Sequence, residues 1–244
     1  MIKKIDKKKV IILTGSSGQV GRSFVNYLSK NKNNYIYALD KIKFDCNKDN
    51  VENYKIDITQ EDEVVNFFSN VKNIYGLINN AGIGVFTPFL TRTLDEFRSV
   101  LDVNLIGTFL MCREAIKIME KQGSGKIINI GSIYGVQSSD YQIYGNSGRN
   151  NSEVYSISKS GVIMLTKYLA THFAGDNIQV NAISPGGIKR EQSDDFIKNY
   201  TSKNPSKRLA EVKDLYPALD FLLDINNKYT NGENIIVDGG YTKW

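Results

Sequence analysis

The apolar run Val10-Ile11-Ile12-Leu13 opens directly into Thr14-Gly15-Ser16-Ser17-Gly18-Gln19-Val20-Gly21, and this junction constrains the fold more than any other stretch. A short continuous apolar run reads as a strand buried on both faces. Val20, Phe24, Val25 and Leu28 then recur at helical spacing, so 18–30 reads as a helix. A strand leading through a glycine turn into a helix is the first half of a parallel crossover. The three glycines serve a tight turn, close backbone approach to a pyrophosphate, and close helix–strand packing. The helix start then offers free N–H groups and a positive dipole end to phosphate. Gly15, Ser17, Gly18, Gln19, Val20 and Gly21 are therefore candidate dinucleotide contacts. No Gly-Lys-Ser/Thr follows, which argues against a Walker-type phosphate loop.

The rest of the chain repeats the alternation. Strands are expected at 35–39 (ending at Asp40), 54–58, 73–78, 126–130, 178–183 and 234–237, and helices at 61–69, 94–121, 152–174 and 209–223. Alternating strands and helices predict an α/β fold, a doubly wound parallel sheet of the Rossmann type with about seven strands and helices on both faces. The 244 residues, 41% apolar, suit one dinucleotide-binding and catalytic domain over 1–244, with no internal repeat or linker. The stretches 133–151 and 188–207 exceed what a connection needs, and such loops are usually functional or mobile. The second reads as a substrate lid around 187–207.

Lys plus Arg exceed Asp plus Glu by only 31 − 26 = 5, and no long basic block lies beyond Met1 to Lys9, which argues against nucleic acid as the main partner. The apolar continuation of that basic opening is too short for an export segment, and no stretch approaches the ~20 apolar residues of a membrane span. Cys46 and Cys112 lack Cys-x-x-Cys spacing and suggest no disulfide framework. The expectation is a cytoplasmic protein with no membrane partner. His172, the single histidine, excludes a His-rich zinc site, and no metal site is expected. It is the only candidate base for a Ser-His-Asp hydrolase, but its place near a helix end favours capping or packing.

Asp40 closes the second strand, where an adenosine ribose would lie, and a carboxylate there favours NAD over NADP by repelling a 2′-phosphate. Lys41 and Arg22 keep NADP open. Asp57 and the adjacent Ile58 end the third strand, where Asp57 faces an adenine edge, or is a solvated strand end or a helix cap. Tyr155 and Lys159, four residues apart, share a helix face. A cation beside a phenol favours the phenolate and predicts a lowered Tyr155 pKa, giving a proton shuttle near neutrality.

Taken together these residues resemble the short-chain dehydrogenase/reductase family over nearly the whole chain. The matching motifs are Thr14 to Gly21, Asn79-Asn80-Ala81-Gly82, Asn104 within Val103 to Gly107, Ser132 after the fifth strand, Tyr155 with Lys159, Ser184-Pro185-Gly186-Gly187 and Val237-Asp238-Gly239-Gly240. The resemblance implies Tyr155 as general acid/base, Lys159 as ribose ligand and modulator of Tyr155, and Ser132 as the substrate-oxygen ligand. Asn104 would kink its helix and retain a water linked to Lys159. Asn80, Ala81 and Gly82 would line the cofactor crevice, and Pro185, Gly186, Gly187 and Ile188 would hold the nicotinamide carboxamide. It also implies a homotetramer or homodimer through the helices around 101–119 and 152–174.

Two features depart from the family pattern. The glycines follow Gly-x-x-Gly-x-x-Gly, as in the family's extended sugar-nucleotide branch, and the Ser132–Tyr155 interval is longer than is common. That extra segment interleaves aromatics with amides and hydroxyls, and Tyr134, Tyr144 and Arg149 are the candidate substrate contacts. With the ending at 238–244, it resembles a subgroup tied to bacterial surface-sugar and flagellin-glycan biosynthesis. Lys189, Arg190, Lys198, Lys203, Lys207 and Arg208 dot the lid and either attract a phosphate or form a solvated, subunit-contacting surface. The expected activity is NAD(P)-dependent alcohol/ketone oxidoreduction on a hydroxylated sugar or sugar-phosphate, a small-molecule substrate. The alternatives are a 3-oxoacyl-carrier-protein reductase and, in another class, a non-catalytic dinucleotide-sensing protein.

Overall fold

The computed structural model describes residues 8–42, 46–147 and 149–243; most of the basic opening and Trp244 of the closing motif lie outside the described residues. The strands are β1 (Lys9–Thr14), β2 (Asn34–Asp40), β3 (Val51–Lys55), β4 (Gly76–Asn79), β5 (Gly125–Ile130), β6 (Ile178–Pro185) and β7 (Asn234–Val237). All pair in parallel, in the order β3-β2-β1-β4-β5-β6-β7. The helices are α1 (Gln19–Leu28), α2 (Glu61–Ser69), α3 (Leu94–Leu101), α4 (Thr108–Gln122), α5 (Glu153–His172), α6 (Asp194–Lys203) and α7 (Tyr216–Leu223).

Successive side chains of β1 explain its unbroken apolar run. Ile12 joins a core layer with residues of α2, α4 and α5, whereas Ile11 and Leu13 join a second layer with residues of α1 and α7. Both faces are covered, so no position can be polar without cost. Each fully buried Ile, Leu or Phe contributes roughly 1.5–3 kcal/mol. Strand order reverses between β1 and β4, which opens a crevice at the carboxyl ends of the strands, the usual ligand site of such sheets. Among the described residues no helix is long and apolar enough to cross a membrane.

Four expectations need correction, the first being the fourth strand, which is Gly76–Asn79 and not 73–78. The third strand is Val51–Lys55, earlier than the expected 54–58. Register with β2 runs from Ile36↔Val51 to Asp40↔Lys55, and the buried Asn50 fixes its start by donating to Ser29 O and Asn34 O. Ile56 and Ile58 look like strand residues because they are buried, but they fill the α2/α4 layer after the chain has left the sheet. The helix expected over 94–121 is broken by a π-helical turn at Asp102–Gly107. The 209–223 helix begins only at Tyr216, after a 3-10 turn at Val212–Leu215.

Candidate active site

The glycine turn is stitched to the end of β4. Thr14 Oγ1 accepts from Asn80 N and Ala81 N, both at 3.1 Å, and Asn80 Nδ2 donates to Thr14 O at 3.0 Å and Gly15 O at 3.1 Å. Gly15 holds φ +69°, and a Cβ there would lie 2.7 Å from Ala81 Cα; at Gly21 it would lie 2.0 Å from Gly15 O. The crossing of β1, β4 and α1 therefore needs both glycines. Helix α1 starts at an N-cap, Gly18, that supplies no side-chain acceptor. Its first-turn N–H groups, at Gln19, Val20 and Gly21, are of the kind that bind a pyrophosphate.

Asp40 sits at the strand end where its place in the sequence puts it. Its Oδ2 accepts from Ser17 N at 2.8 Å and its Oδ1 from Ile42 N at 2.9 Å, which ties the carboxylate to the glycine turn. Lys41 reaches Asp57 instead, at 2.8 Å, and Asp57 also accepts from the Thr59 amide and hydroxyl. Burial pushes the Asp57 carboxyl up, but the Lys41 and Thr59 hydrogen bonds and the Lys41 charge outweigh it and hold it below the usual range. The Ile58 side chain turns into the core, where its Cδ1 would lie 2.7 Å from a Cβ on Gly107. A bare β1/β4 crossing, an uncapped helix start and a ribose-side carboxylate fit a dinucleotide.

The Ser152 hydroxyl caps α5 by accepting from Tyr155 N, which fixes where the helix begins and so where Tyr155 points. Lys159 follows one turn later. Ser132 follows β5 by two residues in extended backbone and caps the 3-10 turn Ile133–Gly135, its Oγ accepting from Tyr134 N at 3.1 Å. Burial pushes the Tyr155 phenol up, and a side-chain hydrogen bond with Ser132 draws it back part of the way. Lys159 Nζ lies 5.8 Å from the Tyr155 ring centroid and donates to Ile130 O at 2.7 Å. Burial lowers its pKa from 10.5 to about 8. The expected depression of the Tyr155 pKa is therefore corrected: dehydration outweighs the Ser132 hydrogen bond at Tyr155 and also lowers Lys159, so both groups shift toward their neutral forms.

Asn104 lies in the π-helical turn, a local departure of the kind often found at functional sites. Its Oδ1 accepts from Ile83 N at 2.8 Å, and its Nδ2 donates to Ile83 O and Ser158 Oγ, both at 3.0 Å. A Cβ on Gly82 would lie 3.3 Å from Asn104 Oδ1 and 3.4 Å from Lys159 Nζ, so the three converge. At the end of β6, Gly186 N donates to Val237 O and Gly187 N to the Tyr200 hydroxyl at 2.7 Å. Pro185 is buried and Ile188 bridges to Ala210.

Tyr200 is a residue that sequence reasoning missed. It is buried on α6, stacks on Tyr241 with centroids 4.6 Å apart, and would be struck by a Cβ on either Gly186 or Gly187. The signal was present: Ser193 before Asp194-Asp195, then Phe196, Ile197 and Tyr200 at helical spacing. Ser193 caps α6 by accepting from Phe196 N.

The 133–151 segment and α6 share a small core of Ile133, Ile143, Tyr200, Leu209 and Tyr241, with Tyr134, Tyr144 and Phe196 packed against it. Lys203 pairs with Asp140 and Arg208 with Asp214, so two of the expected lid cations are already matched. Burial and the neighbouring Tyr144 push the Tyr134 phenol far up. His172 ends α5, stacks on Tyr168 and uses its Nδ1 on Tyr168 O, away from Tyr155.

The family model described as enoyl-(acyl carrier protein) reductase matches residues 25–242. The 2-dehydro-3-deoxy-D-gluconate 5-dehydrogenase of Formosa agariphila is 31% identical over 96% of this chain and 92% of its own. A 3-oxoacyl-(acyl-carrier-protein) reductase of Buchnera aphidicola is 32% identical over 96% and 97%. The post-translational flagellin modification protein A of Campylobacter coli is 27% identical over 96% and 98%. The crystal structure of a short-chain dehydrogenase from Leptospira borgpetersenii with bound NAD+ superposes with a TM-score of 0.90 at 41% identity, covering 99% of this chain and 97% of that one. Matches of this extent, on a chain that keeps the serine, tyrosine and lysine together, leave one conclusion: it belongs to the short-chain dehydrogenase/reductase family of oxidoreductases.

Proposed function

We propose that the protein is an NAD-linked oxidoreductase that interconverts an alcohol and a ketone on a hydroxylated, sugar-type substrate. The observation that carries this is the convergence just beyond β5 of Ser132, Tyr155 and Lys159, with Lys159 Nζ 5.8 Å from the Tyr155 ring centroid and Ser132 acting on the Tyr155 phenol by a side-chain hydrogen bond. In reduction Tyr155 gives its phenolic proton to the substrate oxygen, and in oxidation it takes that proton back. Ser132 holds the same oxygen from a backbone-anchored position. Lys159 would bind the nicotinamide ribose hydroxyls, and Asn104, clamped by Ile83 and Ser158, would keep a water beside it. NAD supplies the hydride chemistry when bound.

The sugar-type substrate rests on the wall of the site. Tyr134 and Tyr144 both have phenols raised by burial, so they stay protonated donors at neutral pH. The Formosa relative acts, by its name, on a sugar acid. A panel of sugar acids, sugar phosphates, nucleotide sugars and apolar ketones with NAD+ or NADH tests the reading; turnover of apolar ketones alone overturns it. Reduction of a 3-oxoacyl thioester is the second reading, supported by the Buchnera relative, and activity restricted to carrier-linked substrates with NADPH would select it. A non-catalytic sensor would show NAD binding with no turnover of any panel member.

For the cofactor, Asp40 faces the ribose side while Lys41, the nearest candidate for a 2′-phosphate, is engaged by Asp57. Asp40→Asn is expected to lower the NAD:NADP ratio of kcat/KM about tenfold or more, from lost charge-assisted hydrogen bonds and relieved repulsion. An unchanged ratio removes Asp40 from cofactor choice.

A homotetramer or homodimer is the proposed assembly. Phe109 on α4 and Ile157, Met164 and Tyr168 on α5 are exposed, an apolar face of the kind that copies of a chain bury against each other. Light scattering is expected to give a multiple of the 27.5 kDa chain mass, and Met164→Glu to lower it. A monomer for the unaltered protein contradicts this.

A further inference from the structure

Beside the site lies a cation seated on an aromatic ring. The Arg149 guanidinium carbon lies 4.2 Å from the centroid of the Phe86 ring. Among the described residues no acidic side chain pairs with Arg149, whereas Arg92 meets Glu153, Lys203 meets Asp140 and Arg208 meets Asp214. The Phe86 shelf adjoins the reacting group: a Cβ placed on Gly84 would lie 3.9 Å from Phe86 Cζ and 3.6 Å from Tyr155 Cδ2.

From the other side, the same charge reaches the tyrosine wall. Burial raises the Tyr144 phenol, while its hydrogen bond with Tyr134 and the Arg149 charge pull it down. Tyr144 in turn acts electrostatically on Tyr155. Arg149 is thus linked to Tyr155 by two routes, through Phe86 and Gly84 on one side and through Tyr144 on the other.

We infer that Arg149 anchors an anionic group, a carboxylate or a phosphate, at the end of the substrate remote from the reacting carbon, so that the substrate is an acidic polyol. This rests on the oxidoreductase reading above. Stacking on Phe86 holds the guanidinium plane in place, so less freedom is lost when it binds. Its N–H edge stays open for bidentate contact with two oxygens of one anion. The Tyr144 phenol, which feels the Arg149 charge, is the nearby group available to donate to a hydroxyl of the same ligand.

The test uses the full-length protein with NAD+ and three matched sets of C4–C6 compounds: aldonates, polyol phosphates and neutral polyols. The unaltered enzyme is expected to favour one anionic set over the neutral polyols by about tenfold or more in kcat/KM, and which set it favours separates carboxylate from phosphate. Arg149→Gln is expected to raise KM for that set about 10- to 100-fold with a much smaller change in kcat, the size of a lost charge-assisted pair. Arg149→Lys should restore part of the loss. Equal use of anionic and neutral polyols, or a KM change in Arg149→Gln that is the same for both, overturns the anchor and leaves the oxidoreductase reading standing. Failure to oxidise any polyol, with apolar alcohols turned over, overturns both.

Discussion

Tyr155→Phe is expected to lower kcat about 10²- to 10⁴-fold, the range that a positioned proton donor contributes. The substitution keeps the ring and removes only the oxygen. The backbone N–H that fixes the helix start on Ser152 is untouched, so α5 and Ser132 stay in place. NAD affinity, read by titration of the purified variant, is expected to change by no more than about twofold, and the thermal midpoint to stay near that of the parent. The loss should fall on kcat and kcat/KM alike, because the proton is shared with substrate only in the transition state. A kcat within about tenfold of the parent would remove Tyr155 from the chemistry. A collapse of NAD affinity would instead make the phenol a binding group.

The parts of this site that repeat at fixed sequence spacing were legible from the chain alone. The glycine turn follows from its place between an apolar run and a helical pattern, and the bounds of α2 and β7 from local sequence pattern, which survives without tertiary context. What escaped depends on contacts between distant segments. Ile56 and Ile58 carry a strand-like pattern, yet their burial comes from α2 and α4 rather than from a sheet neighbour. Helix α6 was hidden inside a polar stretch that reads as a lid, although its Ser193 cap was visible. Residues such as Asp140 and Lys203 gain meaning only when the fold brings them together across 63 positions. The direction of the Tyr155 shift was missed for a related reason: spacing places a cation near a phenol but says nothing of how dry both will be.

That dryness has a measurable consequence at Lys159. Its pKa falls from 10.5 to about 8 because burial strips water from the ammonium. Between those values the unfolded chain holds a proton that the folded protein lacks, so stability rises with pH across that window. Below about 8 the full penalty is present, worth about 3 kcal/mol by conversion of the pKa difference. Lys159→Met removes the titrating group while filling similar volume. It also leaves Ile130 O without its 2.7 Å donor, a cost that does not vary with pH. The slope, and not the absolute midpoint, is therefore the diagnostic. Urea unfolding at pH 7, 8, 9 and 10 is expected to show the parent gaining about 2 kcal/mol more than the variant from the lowest to the highest of these. Turnover in the variant should fall at least about 10²-fold, since the cofactor ribose and Tyr155 both lose their cation. Parallel stability curves would mean that Lys159 stays charged and hydrated in the folded protein. The ammonium would then stand as a permanent positive charge beside Tyr155. Lost turnover with divergent curves would place a buried, easily deprotonated lysine beside the proton-transfer tyrosine.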